Sequence, residues 1–172
     1  GTQASTIGAA FTTTNRRFGN DAKLGELLAR EAYYGGLDWR VRLQAQAQYT
    51  NDELVSGEQF GIGGADSVRG LRERVLADDR GWRVSADLDT PAWVHDTWVM
   101  RGVLFADTAH LYRVRPLAGE DASQAVFSAG VGLRVNFSTW LSGRIDYAQL
   151  IDGAGRYDSG SHRVHATFSL NF

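Results

Sequence analysis

The feature of this 172-residue chain that most constrains its fold is a strict two-residue alternation at its C-terminal end. Through residues 163–172, Val, Ala, Phe, Leu and Phe alternate with Arg, His, Thr, Ser and Asn. Successive side chains of a strand point to opposite faces, so the pattern predicts one apolar face and one polar face. The run from His162 is about eleven residues long, which is the length of a tilted membrane-crossing strand. Residues 37–49 repeat the pattern, with Asp, Arg and Gln on the polar face.

The alternation continues along the chain and predicts an all-β fold of about eight strands. Further strands are predicted at 82–89, 98–105, 127–137 and 141–147, and weaker ones at 5–13 and 23–33, the last of which is helical by propensity alone. An aromatic content of 11% with 20 glycines and 2 prolines supports a strand-rich fold. There is no linker, repeat or low-complexity block, so we expect a single domain over residues 1–172.

The predicted connections alternate in length. Short links are expected at 35–36, 91–96 and near 138, and longer polar links at 15–20, 50–79, 108–122 and 151–161. Short turns at one end and long loops at the other are typical of antiparallel transmembrane β-barrels of the outer membrane. An even strand count would place Gly1 and Phe172 at the short-turn end. The first residue suggests a cut inside a longer chain or a processed product, whereas the pattern at Phe172 favours an authentic C-terminus.

Enzyme and cofactor signals are weak. A net charge of −2 does not favour nucleic acid, and the absence of cysteine excludes disulfides and thiolate metal sites. The four histidines lack metal-binding spacing, and residues 126–130 lack the first glycine of a nucleophile elbow. We therefore expect no catalytic residue, no metal and no cofactor. A lipase-like set of Asp146, His165 and a serine is the disfavoured alternative.

The predicted loop at 50–79 is too long to be a simple connector. At its centre, residues 61–70 read G-I-G-G-A-D-S-V-R-G. A nucleotide-binding G-x-G-x-x-G would need glycine in place of Asp66, and no Lys-Ser/Thr follows. Composition alone leaves a flexible surface loop as the alternative.

This tract resembles the sixth extracellular loop of the Omp85 superfamily and, more narrowly, of the two-partner secretion transporters (TpsB, the haemolysin-activator family). The family pattern F-x-[LI]-G-G-x-D-S-V-R-G-[YF] is matched from Phe60 to Gly70, with Leu71 in place of the aromatic residue. Residues 79–82 then match the D-R-G strand start. A second family motif, F-x-D-x-G, is matched by residues 105–109, with Ala109 in place of glycine.

The resemblance implies a role in protein secretion across the outer membrane of a Gram-negative bacterium. Such transporters are sixteen-stranded barrels with periplasmic POTRA domains and a plug helix, and they move an unfolded partner exoprotein of haemolysin or adhesin type to the cell surface. This chain would be the C-terminal half of that barrel. The resemblance also implies a loop-tip motif and a partner motif, in which Asp107 receives Arg69: Val68, Arg69, Gly70 and Phe105, Asp107, Ala109.

The length of the loop allows Arg69 to enter the barrel. An extended chain from residue 50 to Arg69 reaches roughly 60 Å, whereas the hydrocarbon core is about 30 Å thick. A guanidinium suits a docked tip because it stays charged and donates two parallel hydrogen bonds to a carboxylate. The alternative is that Arg69 is solvated in a surface loop.

Charged residues recur on the polar face of the strands and are expected to line the lumen: Arg40, Arg42, Arg83, Asp87, Arg101, Arg134, Arg144, Asp146 and Arg163. A dry core would penalise such charges by several kcal/mol each, so the pattern favours a wet conduit, although ordinary charge pairing explains most of them singly. The terminal residues Phe168, Leu170 and Phe172 resemble the signal that the barrel-assembly machinery reads by strand pairing. A closing strand with lipid-facing aromatic residues is the simpler interpretation.

Three other functions stay open at the level of sequence. The first is an Omp85-type factor that assembles other outer-membrane proteins. The second is a small self-closing barrel of eight strands with a structural, adhesive or lipid-modifying role. A soluble ligand-binding barrel is least favoured, because its interior should be apolar and the polar face here is charged.

Overall fold

The computed structural model describes residues 10–18, 22–30, 39–72, 75–154 and 159–171, with side chains described from residue 39 onward. Within these ranges no helix has the length and apolarity needed to cross a membrane. The described residues form eleven strands, with every pairing between them antiparallel. They are β1 (Ala10–Phe18), β2 (Ala22–Arg30), β3 (Arg40–Tyr49), β4 (Phe60–Ile62), β5 (Leu76–Asp78), β6 (Arg80–Asp89), β7 (Trp93–His95), β8 (Trp98–Tyr112), β9 (Ser123–Phe137), β10 (Leu141–Asp152) and β11 (His162–Leu170).

Eight of these strands form one meandering sheet in the order β1-β2-β3-β6-β8-β9-β10-β11. β7 adds a short hairpin to the start of β8, and β4 pairs with β5 in a separate ribbon. The prediction of an all-β antiparallel fold with about eight main strands is confirmed. An antiparallel meander of this kind is consistent with a fragment of a β-barrel.

The predicted boundaries of the first strands are wrong. Residues 15–18 were expected to begin a long polar link, but they belong to β1 and pair with β2, for example Asn15 with Gly25. The polar run Asn15-Arg16-Arg17 interrupts the alternation in the sequence. The backbone pairing continues through it, because pairing does not require an apolar side chain at every second position. β8 likewise continues to Tyr112, beyond the link predicted from 108, because Ala109 and Leu111 are buried and keep the alternation going. The turn predicted at 35–36 lies outside the described residues.

The two faces of the sheet differ in chemistry. On β8, Phe105 and Asp107 lie on the face that packs against the long loop, here called the inner face, whereas Leu104 is 51% exposed on the opposite, outer face. Exposed apolar side chains cover the outer face on the later strands too: Val131, Leu133, Ile145, Tyr147, Val164, Phe168 and Leu170. The alternation thus gives an apolar outer face on these strands, whereas the inner face carries the charged positions together with apolar residues that the loop covers, such as Phe105 and Leu111.

The link between β3 and β6, residues 50–79, packs against the inner face and carries the ribbon of β4 and β5. The main buried apolar cluster joins this loop to β8, β9 and β10 and contains Phe60, Ile62, Val68, Leu71, Ala109, Leu111, Val126 and Leu150. Val68 and Leu71 are completely buried. Leu71, where the resembling family has an aromatic residue, therefore fills its site. The loop is a packed layer of the fold rather than a surface excursion.

Gly130 marks the closest approach between the strands that support the site. A Cβ atom built on Gly130 would lie 2.1 Å from the Tyr147 carbonyl oxygen of β10 and 2.5 Å from Cζ of Phe105 on β8. Both distances are far inside van der Waals contact. Glycine at this position on β9 therefore leaves room for the Phe105 ring on the inner face.

We expect Gly130→Ala to destabilise the fold by about 1–3 kcal/mol, because the added methyl forces a backbone carbonyl and a packed ring to move. The midpoint of urea unfolding, followed by tryptophan fluorescence, measures this. Gly57→Ala is the matched control, since a Cβ at Gly57 would have no heavy atom within 4 Å. Equal midpoints for the two variants would contradict the packing argument.

Candidate functional site

The central tract of the loop folds back on itself before it reaches the sheet. Gly63 and Gly64 have positive φ angles of 113° and 96°, which side-chain-bearing residues rarely adopt. The Gly64 amide donates to the Leu71 carbonyl at 3.2 Å, and the Leu71 amide donates to the Val68 carbonyl at 3.0 Å. These bonds close the tract and present Arg69 at its tip.

Arg69 docks on Asp107 of β8 in a bidentate pair. Its Nε donates to Asp107 Oδ2 at 2.8 Å and its Nη2 donates to Oδ1 at 2.7 Å. The Arg69 backbone amide also donates to Oδ2 at 3.1 Å. The Asp107 side chain is fully buried and that of Arg69 is 5% exposed. The structure thus places Arg69 against the carboxylate that the resemblance implied.

A second carboxylate shares the same guanidinium. Nη2 of Arg69 lies 2.6 Å from Oδ1 of Asp87 and 3.1 Å from the Ser85 hydroxyl, both on β6. The Ser85 hydroxyl also donates to Asp107. The register pairs Ser85 with Asp107 and Asp87 with Phe105, so these four side chains occupy adjacent positions on one face. Arg42 of β3 contacts the other oxygen of Asp87 at 3.4 Å and supplies a second positive charge.

Aromatic and backbone contacts complete the seat of Arg69. The guanidinium carbon lies 3.5 Å from the centre of the Phe105 ring, which is cation–π geometry. Phe105 and Asp107 are two residues apart on β8, so both reach the inner face. From the other side, Nε2 of His165 on β11 lies 2.7 Å from the Arg69 carbonyl oxygen. The tip is therefore held by strands that are far apart in the sequence.

The charge balance of the seat favours the charged form of the Arg69 guanidinium. Burial alone would lower the pKa of Arg69, but hydrogen bonding and attraction from Asp107 and Asp87 outweigh it and raise that pKa above its ordinary value. The guanidinium therefore stays charged. Arg42 lies 3.4 Å from Asp87 and 3.4 Å from Asp89, so Arg69 and Arg42 together offset most of the negative charge of these two carboxylates and Asp107.

The base of the loop is anchored by the two aspartates before β6. Asp79 is 3% exposed, and its oxygens accept the Leu54 amide at 2.9 Å and the Val114 amide at 2.8 Å. Asp78 binds Arg113 at 2.8 Å. Burial raises the pKa of Asp78, and the bond from Arg113 partly opposes this. These contacts join the long loop to the link at 113–122. In the sequence alone, Asp79 stands out only as the first residue of the D-R-G motif.

Several of the charged side chains predicted to line the lumen contact the long loop or one another instead of facing open space. Nη2 of Arg144 donates to the Ala65 carbonyl at 2.8 Å and to Asp66 at 3.0 Å, and Nη1 of Arg83 donates to the Asp66 carbonyl at 2.9 Å. Arg134 donates to Asp146 at 2.6 Å. A polar cavity of about 270 Å³ remains beside the tip, lined by Arg42, Asp66, Arg69, Asp87, Arg134 and Arg144 among others.

The remaining predicted residues take less central places. Arg101 donates to the Thr90 carbonyl at 3.0 Å near the short-turn end, Arg40 is exposed at the start of β3, and Nε of Arg163 is buried without a hydrogen-bond partner among the described residues. Phe168 and Leu170 lie exposed on the outer face, and Phe172 lies outside the described residues. Within the described ranges no three His, Asp or Glu side chains are grouped to hold a metal ion.

Sequence reasoning missed the polar contacts of Arg69 with Asp87, Ser85 and His165. The alternation places Ser85 on the same face as Asp87, which is a usable signal. Nothing in the pattern, however, indicates which inner-face residues the loop covers. Asp146 and His165, the two fixed members of the lipase-like alternative, are engaged by Arg134 and by the Arg69 carbonyl.

A known protein family matches the part of the chain that contains this site. Residues 25–135 match the profile of the haemolysin secretion/activation protein family, ShlB/FhaC/HecB, and they make up more than half of the chain. The chain belongs to this family. Its localisation is accordingly the outer membrane of a Gram-negative bacterium. The matched region contains the loop, Arg69 and both aspartates of its seat.

A curated relative agrees with this assignment. The chain is 32% identical over 101 residues to the outer membrane transporter CdiB of Dickeya dadantii (strain 3937). The alignment covers 57% of this chain and 17% of the relative, so the chain spans a minor part of that protein's length. No solved structure gives a significant match.

We expect Arg69→Ala to release the loop tip, because it leaves the Asp107 carboxylate buried without a counter-ion. Breaking a buried pair costs about 3–5 kcal/mol, equivalent to a loss of protection of about 160-fold to 5000-fold in the amides that open with the tip. Hydrogen exchange of the backbone amides at 60–72 in the folded protein measures this. Arg115→Ala, at an exposed arginine in the next loop, should leave exchange unchanged. Unaltered protection in Arg69→Ala would show that apolar packing alone holds the tip.

Proposed function

We propose that this chain forms part of an outer-membrane pore that passes an unfolded partner exoprotein, of haemolysin or adhesin type, to the cell surface in two-partner secretion. The observation that carries the proposal is the long loop docked on the inner face through Arg69, Asp107 and Asp87. A loop in that position occupies the space through which a chain would pass. Family membership supports the same role.

The inner face has the chemistry that a sliding polypeptide requires. Its side chains beside the loop are charged or amide-bearing, and they are paired with one another, as in Arg42 with Asp87 and Arg134 with Asp146. Paired charges keep the wall hydrated while offering no apolar surface to which an unfolded chain would adhere. We propose no catalytic or cofactor-dependent step for this site.

The place of the chain in the larger protein is part of the proposal. We propose that residues 1–172 are the C-terminal half of a sixteen-stranded barrel, and that the barrel-assembly machinery recognises the terminal strand with Phe168, Leu170 and Phe172. Two observations support it. The sheet has no described ladder between β1 and β11, which leaves both edges available for further strands. The outer face of β11 is apolar and exposed.

We expect Arg69→Ala in the full-length transporter to reduce secretion of the partner protein strongly, while the amount of barrel in the outer membrane stays normal. The strand ladder does not depend on the Arg69 side chain, whereas the resting position of the loop does. Asp107→Ala should act alike, and the double variant should be hardly worse than either single variant, because the two residues act as one unit. Secreted partner and assembled barrel are measured in parallel by immunoblot.

Arg115→Ala is the control for loss of an arginine from the same end of the sheet. Full secretion by Arg69→Ala with normal barrel levels would contradict the proposal. A different result, normal secretion but reduced insertion of other outer-membrane proteins, would favour the assembly-factor function instead.

A further inference from the structure

The D-R-G sequence that opens β6 divides between the two faces of the sheet. Asp79 turns inward and anchors the loop, and a Cβ on Gly81 would meet Cδ1 of Phe60 at 3.0 Å, so Gly81 also faces the loop. Arg80 lies between them on the outer face, together with Trp82. Arg80 takes part neither in the docking of the loop nor in the ion pairs described for the inner face.

Two tyrosines flank Arg80 on the neighbouring strands. Its guanidinium carbon lies 5.8 Å from the ring centre of Tyr49 on β3 and 5.8 Å from that of Tyr112 on β8. The register pairs Arg80 with Tyr112 and, one position along, Gly81 with Gln48, so the three side chains form one row across three strands. The next row along the outer face contains Ala47, Trp82 and His110.

This row borders an open groove of about 350 Å³ lined by Ala47, Gln48, Tyr49, Arg80, Gly81, Trp82 and Tyr112. No carboxylate lines the groove, and in the described part of the structure Arg80 has no carboxylate partner. The groove therefore combines one uncompensated cation with aromatic side chains at its rim. Because Ala47 has a small side chain beside Trp82, the groove also contains an apolar channel.

The position of this row along the strands indicates which part of the membrane it contacts. Below Arg80 the outward residues of β6 are Trp82, Val84, Ala86 and Leu88, and about 3.3 Å per residue gives about 26 Å along the strand from Arg80 to Leu88, or about 20 Å of height at a strand tilt of about 40°. Outer-membrane barrels present an apolar band about 25 Å tall, bounded by aromatic girdles. At the other end of the sheet Phe137 packs on Trp98 and Trp140, with ring centres 4.6 and 5.3 Å apart. Arg80 thus stands at the upper edge of the band, on the side of the long loops.

We propose that Arg80, Tyr49 and Tyr112 bind the phosphate group of a phosphorylated lipid of the outer leaflet, with an acyl chain lying along Ala47 and Trp82. A guanidinium donates two parallel hydrogen bonds to a phosphate, and the rings of Tyr49 and Tyr112 hold the Arg80 guanidinium between them at this height. The apolar channel continues from this point into the lipid-facing surface. Charge complementarity and membrane depth together favour a lipid over a soluble anion.

The experiment uses the full-length protein in detergent and measures retention of lipid A, which carries phosphates, by native mass spectrometry. We expect Arg80→Gln to lower lipid A affinity about tenfold, as fits loss of hydrogen bonds to a charged group, and Arg80→Lys to have an intermediate effect. The matched control Arg115→Gln removes an exposed charge from the same end of the sheet and should leave binding unchanged. Dephosphorylated lipid A should bind the original protein and Arg80→Gln equally.

Equal lipid A affinity in the original protein and in Arg80→Gln would overturn the proposal, as would an equal loss in Arg115→Gln. Displacement of lipid A by millimolar inorganic phosphate would overturn the lipid as the occupant and leave a simple anion site. Heat-dependent gel mobility of each variant establishes that the barrel is folded. The outcome is independent of the secretion test, because Arg80 and Arg69 lie on opposite faces of the sheet.

Discussion

The buried carboxylate of Asp107 is the constraint on which the rest of the site depends. It has no exposed surface and lies beside Asp87, a second carboxylate on the adjacent strand. Desolvation and mutual repulsion would both disfavour this arrangement without a cation. Arg69 binds both carboxylates from the loop, Arg42 adds a second positive charge from β3, and Ser85 supplies a further hydrogen bond. The Phe105 ring, seated over Gly130, fixes the plane of the guanidinium. The strand residues are thus arranged for a loop that is docked.

Docking divides into two kinds of interaction with different roles. The apolar cluster that includes Val68, Leu71 and Leu150 provides most of the favourable free energy, because it removes large side chains from water. The ion pair contributes less net stability, since desolvation offsets much of its attraction, but its geometry allows only one seat. The cluster holds the loop near the wall, and the bidentate pair determines where its tip lies.

The sequence pattern predicts the strands and their faces well where polar and apolar residues alternate, as in β3, β9 and β11. It fails at β1, where Asn15, Arg16 and Arg17 interrupt the alternation although the backbone pairing continues. The pairing of Arg69 with Asp107 comes from a family resemblance, because 37 intervening residues separate the two and no local rule joins them. The contacts of Arg69 with Ser85 and His165 depend on how the loop is docked, and a periodic pattern carries no such information.

The same alternation explains how one short motif can serve two environments. In D-R-G, Asp79 and Gly81 face the loop and Arg80 faces outward, so anchoring contacts and a candidate lipid contact lie one residue apart. A slip of one residue in the register of β6 would exchange these faces. It would place an uncompensated guanidinium among the buried residues of the loop and a carboxylate at the edge of the apolar band. The buried acceptors of Asp79, which bind Leu54 and Val114, oppose that slip. The anchoring of the loop therefore also fixes which residues of β6 meet the membrane.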